Sequence, residues 1–221
     1  MVDLNGDEID DLISGDYATG LISFFEGTKN GFKQSVLIPE DWKPESNQEQ
    51  APMDRLMGTA YFLDWDRDSD LDMLVGNVRG GVYININTGT KKEFKFGKRI
   101  PLKVGSDTLK VIQKSDPFPV DWDNDGILDL VVGDEAGGVT FFKGKKDRTF
   151  EKGISIFTGK PVPSGKFDEV SKWEKTDTGM DWYRLRINVT DWNNDGKLDL
   201  IVGSCSSNEK DNGCVNVFLR K

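Results

Sequence analysis

A nine-residue pattern that occurs four times constrains this chain more than any other feature. The third copy reads Asp121-Trp122-Asp123-Asn124-Asp125-Gly126-Ile127-Leu128-Asp129 and runs into Leu130-Val131-Val132-Gly133. The fourth spans Asp191 to Asp199 and continues as Leu200-Ile201-Val202-Gly203. The second spans Asp64 to Asp72 and continues as Met73-Leu74-Val75-Gly76. The first spans Asp3 to Asp11 and continues as Leu12-Ile13-Ser14-Gly15. Each copy is an oxygen-rich loop feeding a short apolar strand that ends in Gly. The copies begin at residues 3, 64, 121 and 191, and repetition on this scale indicates an array or a propeller.

The residue types in the loop point to calcium. Oxygen ligands fall at positions 1, 3 and 5: Asp3, Asn5 and Asp7; Asp64, Asp66 and Asp68; Asp121, Asp123 and Asp125; Asp191, Asn193 and Asp195. Position 7 is expected to add a backbone carbonyl, from Ile9, Asp70, Ile127 or Lys197, and position 9 a closing carboxylate, from Asp11, Asp72, Asp129 or Asp199. Hard oxygens in that number suit Ca²⁺, which takes about 6–8 of them, whereas Mg²⁺ demands a stricter octahedron. His is absent and Cys occurs twice, so soft-metal ligands are almost missing. An EF-hand is excluded: its closing acid stands at position 12 between helices, whereas here the flanks read as strands. Position 6 calls for Gly at positive φ. Gly126 and Gly196 meet that need, while Glu8 and Ser69 do not, so the first two sites are expected to be weaker or distorted.

Charge follows from the same loops. The net charge is −9, and four Ca²⁺ ions would bring it to about −1. The acidity therefore requires no basic partner and argues against nucleic acid. No apolar run of about 20 residues is present, so no membrane span is expected.

Within each repeat, further short runs of β-branched and aromatic residues are separated by turn residues. They predict four antiparallel strands per unit, as in a propeller blade. Approximate blades are 1–57, 58–115, 116–182 and 183–221 within a single repeat domain, the first and last incomplete, with three, four, four and three strands. The fourth strands are expected to open at Phe32, Phe94 or Phe150. Pro117 and Pro119, two apart, both lack donors on one side, which suits an innermost strand with an unpaired edge. The first loop lacks the strand that precedes the others, which reads as a piece of a longer chain with any secretion signal upstream.

The pattern Asp-x-Asp/Asn-x-Asp-Gly-x-x-Asp-Leu-x-x-Gly resembles the FG-GAP/VCBS repeat, the β-propeller unit of integrin α heads and of many secreted bacterial proteins. The resemblance covers essentially the whole chain. It implies an all-β propeller or an open segment of one, calcium loops in the blade hairpins (up to four ions), and an extracellular or periplasmic location. It does not select a function, because one fold hosts many.

Other residues complete the reading. Cys205 and Cys214 bracket a loop between two strands, where a disulfide is expected, contributing about 2–3 kcal/mol. Trp65, Trp122 and Trp192 at loop position 2 are expected to pack between blades. Trp42, Trp173 and Trp182 lie in or beside two long polar linkers and are candidates for stacking on sugar rings, against the plainer role of pinning the linker. Arg184 and Arg186 alternate with Tyr183, Leu185 and Ile187, giving one polar strand face and one apolar face. Catalysis finds little support: there is no His, no nucleophile elbow and no phosphate loop. The favoured function is a non-catalytic, calcium-binding module in adhesion or in binding a polysaccharide or an extracellular protein. The alternatives are a polysaccharide lyase or hydrolase on a propeller scaffold, and a structural spacer.

Overall fold

A computed structural model describes residues 1–16, 19–38, 55–56, 59–157, 182–206 and 214–220, with the side chains of Phe157, Trp182, Tyr183 and Ser206 outside the description. Among the described residues every regular element is a β-strand, and no helix is long and apolar enough to cross a membrane.

Among the described residues the strands form four main antiparallel sheets, one per loop copy. The first holds Leu12–Gly15, Ile22–Phe25 and Val36–Leu37. The second holds Thr59–Leu63, Asp72–Gly76, Val82–Asn85 and Ile100–Pro101. The third holds Asp116–Val120, Asp129–Gly133, Val139–Phe142 and Ile154–Phe157. The fourth holds Trp182–Thr190, Asp199–Ser206 and Cys214–Phe218. In each sheet, sequence neighbours are also spatial neighbours. Such a meander is the propeller-blade topology, and it follows from short connections between runs that alternate apolar and polar positions.

The chain divides into two compact units. One comprises Met1–Val78 and Val82–Pro101, the other Arg79–Gly81 and Leu102–Lys221. In the first unit, Leu4, Ile22, Phe24, Ile38, Met73, Val75 and Phe96 make one buried cluster. Phe24 and Phe96 are both joined through Phe94, with ring centroids 5.2 and 6.0 Å apart.

In the second unit, the third and fourth sheets share a core of Val131, Val139, Leu185, Ile187, Val189, Leu200 and Val202. The alternation read around Arg184 and Arg186 appears directly: Leu185, Ile187 and Val189 are buried, and Arg184, Arg186 and Asn188 are exposed. Gly133 ends its strand where a side chain would not fit. A Cβ there would lie 2.9 Å from Ile187 Cγ1 and 3.1 Å from Leu185 Cβ. The Gly that closes this repeat is thus a contact point for the next sheet. Asp116 ties the same two sheets: buried, it accepts the Ile187 N–H at 2.6 Å and pairs with Arg186 Nη1 at 3.4 Å.

The strand Asp116–Val120 pairs with Asp129–Gly133 and forms an edge of its sheet. Pro117 and Pro119 stand opposite Val132 and Leu130, tolerated because an edge strand leaves one side without ladder bonds.

Three expectations require correction. The fourth strands begin after Phe32, Phe94 and Phe150, not at them: at Val36, Ile100 and Ile154. Phe150 is buried, Phe94 packs partly buried against the first unit's cluster, and Phe32 sits in the two-residue hairpin Gly27–Thr28/Gly31–Phe32. The chain turns inward at Phe94 and Phe150 before pairing as a strand. Trp192 is 60% exposed, unlike Trp122. Trp122 is covered by the fourth sheet, whereas among the described residues of its unit no later sheet covers Trp192. Cys205 and Cys214 are both free thiols. Cys214 stands opposite Ser204, so Cys205, one residue on, points to the other sheet face. That register keeps the two sulfurs apart.

Candidate metal centre

Each loop hangs from its closing aspartate. Asp11, Asp72, Asp129 and Asp199 are all fully buried. One carboxylate oxygen accepts the N–H of loop position 2: Leu4 at 2.9 Å, Trp65 at 2.9 Å, Trp122 at 3.0 Å and Trp192 at 3.0 Å. The other accepts an N–H just beyond the strand that pairs next in the sheet: Gly27 at 2.8 Å, Asn87 at 2.7 Å, Gly144 at 2.7 Å and Arg220 at 2.8 Å. The same two bonds thus occur in four places. A buried carboxylate is tolerable only when its oxygens are satisfied, and here it fastens the loop to two strands.

Position 1 shapes the turn. Asp121 accepts the N–H groups of Asp125 at 3.0 Å and Gly126 at 2.9 Å. Asp191 does the same with Asp195 and Gly196, at 3.0 and 2.9 Å. The first two loops follow the same plan without Gly. Asp3 accepts from Asp7 and Glu8, both at 3.0 Å, and Asp64 from Asp68 and Ser69 at 3.1 and 3.2 Å. Glu8 and Ser69 take φ of 70° and 77°, close to the 79° and 82° of Gly126 and Gly196. The distortion expected of these loops is not seen in their hydrogen bonding. The side chain's cost is backbone strain, about 1 kcal/mol each.

Position 5 turns partly inward on the loop itself. Asp7, Asp68, Asp125 and Asp195 each accept the position-7 N–H, at 2.9, 3.0, 2.9 and 2.9 Å. Positions 1, 3 and 9 converge. Oxygens of Asp64, Asp66 and Asp72 lie within 4.8 Å of one another, as do those of Asp121, Asp123 and Asp129. Two ligands of one Ca²⁺, each 2.3–2.6 Å from it, can be no more than about 5 Å apart, so both triads fit that ion's shell. In the first and fourth loops Asn5 and Asn193 replace the position-3 acid, and their amides donate to Asp7 and Asp195 at 3.2 Å.

Crowding of charge supports the fit in the second loop. Asp70 is pushed up to about 6 by burial first, then by the charges of Asp68, Asp72 and Asp66. Its buried Oδ1 accepts no hydrogen bond. Burial likewise raises Asp72 and Asp129, against the backbone N–H groups that lower them. A divalent cation would relieve this repulsion, and the residues placed to hold it are the acids at positions 1, 3 and 9.

Of the other candidates, Trp42 and Trp173 lie outside the described residues, as does the side chain of Trp182. Trp122 packs on Phe141 at 6.3 Å between centroids. The Arg220 guanidinium lies 5.1 Å over its ring and donates to its carbonyl at 2.8 Å. Sequence reasoning passed over two features. One is the second N–H on each closing Asp, which comes from residues as different as Gly27, Asn87, Gly144 and Arg220 and so has no sequence signature. The other is Lys143, whose ammonium pairs with Asp123 and, at 3.1 Å, with Asp125.

Antiparallel sheets in which one strand grows from a buried, hydrogen-bonded aspartate define a protein of propeller-type repeats. The family model of the FG-GAP-like repeat matches residues 121–202, from the first aspartate of the third loop into the second strand of the fourth sheet. No curated protein matches the chain at a significant level.

Proposed function

We propose that this protein is a calcium-stabilised, non-catalytic repeat module whose blades present a binding surface to a polysaccharide or protein outside the cell. The observation that carries the calcium part is the convergence of Asp64, Asp66 and Asp72, and of Asp121, Asp123 and Asp129, each triad within 4.8 Å. When bound, the ion neutralises clustered carboxylates and fixes the loop between its strands, so that binding free energy becomes folding free energy. The extracellular setting is supported by the FG-GAP resemblance and by calcium supply. The binding role is supported by the same resemblance and by long connections on a rigid β scaffold, where recognition commonly resides.

The test is retention on a panel of polysaccharides, with calcium and then with chelator, while the same samples are assayed for released sugar ends. Calcium-dependent retention without release is the expected result. Release of ends would replace the binding module with an enzyme. A folded, calcium-loaded protein that neither binds nor cleaves would make it a spacer.

A further inference from the structure

The four loops balance their negative charge differently. In the first and fourth, an Asn amide at position 3 donates to the position-5 carboxylate. In the second, positions 1, 3, 5, 7 and 9 are all Asp. In the third, the Lys143 ammonium bridges positions 3 and 5, touching Asp123 and lying 3.1 Å from Asp125. Lys143 immediately precedes Gly144, whose N–H binds the closing Asp129. The corresponding residues, read from the same bond in the other sheets, are Glu26, Ile86 and Leu219. A cation in this place is therefore peculiar to the third loop. The strand end that fastens the closing aspartate also delivers the ammonium to the loop's acids.

We propose that Lys143 is a resident counter-ion of the third loop, which holds the metal-free loop together and must be displaced when a divalent cation binds. The inference rests on the calcium reading of the loops. Asp123 belongs to the triad placed to hold the ion, so the ammonium and the ion compete for its carboxylate. The Lys143 side chain is 36% exposed, which leaves it an open path to swing into solvent. The third loop has an acid at positions 1, 3, 5 and 9 and Gly at position 6, yet it binds calcium less tightly than that composition implies.

Trp122 lies in the third loop, and a Trp65→Phe/Trp192→Phe background removes the tryptophans of the second and fourth. Terbium emission sensitised through loop tryptophan then reports the third loop, and calcium competition gives its affinity. Lys143→Met is expected to tighten binding about fivefold, since even a part-exposed ion pair opposes its own displacement. Lys143→Arg, which keeps the charge, is expected to stay near the parent. The same Lys143→Met variant should melt lower in chelator and level with the parent in saturating calcium. A residue that only packs would lower both melts alike, and that result, or unchanged affinity in a loop that does bind metal, would overturn the inference. Absence of metal binding at every loop is a separate result, which would remove the calcium reading and this role with it.

Discussion

Asp129 shows how much one residue carries. Its oxygens hold the Trp122 and Gly144 N–H groups, and it is fully buried. Asp129→Ala strands both donors and is expected to lower the unfolding free energy by about 3 kcal/mol, measured by urea unfolding in chelator. Asp123→Ala, at a more exposed position, should cost much less under the same conditions. Equal losses would mean that the closing aspartate has no anchoring role. Asp134 allows a test by pH. It accepts N–H groups from Ala136 and Gly138 at 2.8 and 2.9 Å, yet burial pushes it up to about 6 from an ordinary 3.8. The folded state therefore holds this proton more tightly than the unfolded chain. The stability it contributes is complete below pH 3.8 and is lost as pH rises through about 6. Asp134→Asn removes the titration, so stability relative to the parent should shift in the variant's favour across that window. Parallel curves would refute the assignment.

At the scale of the element, the loop and its strand act together. Glu8 and Ser69 occupy a left-handed position that Gly fills in the third and fourth loops. Glu8→Gly and Ser69→Gly are expected to stabilise the metal-free protein by about 0.5–1 kcal/mol each, and Gly126→Ala to destabilise it by about 1 kcal/mol. Thermal melts of the three variants check the signs, and a stabilising Gly126→Ala would contradict the account. The elements were legible because their signals are local. Alternation marked the strand around Leu185 and Ile187, and Asp-rich loops marked where each second strand begins. The fourth strands were misplaced because an aromatic that turns into the core, as Phe150 does, has the composition of a strand start. The Cys205–Cys214 pairing failed on register, since a one-residue offset reverses the face and spacing in sequence does not reveal it.

For the whole molecule, the repeat determines most of what is known. Two compact units, each with its own apolar cluster, arise from one motif copied four times. The converging aspartates of the second and third loops, at positions 1, 3 and 9, were legible as a set because they recur at a fixed spacing. Lys143 and the strand-end N–H groups were not, because they reach the loop through the sheet: Lys143 stands 20 residues from Asp123. Charge gives the same picture at this scale. A chain of net charge −9 with acids crowded into loops should repel itself without cations, so calcium should stabilise it well beyond what equal ionic strength of sodium does.

Calorimetric calcium titration of the chelator-stripped protein, beside Asp64→Ala/Asp121→Ala, tests the central claim most directly. Saturable binding that the double variant loses in part, with a melting temperature that rises with calcium in the parent and less in the variant, is the predicted result. Absence of binding heat together with a melting temperature indifferent to calcium and chelator would contradict it.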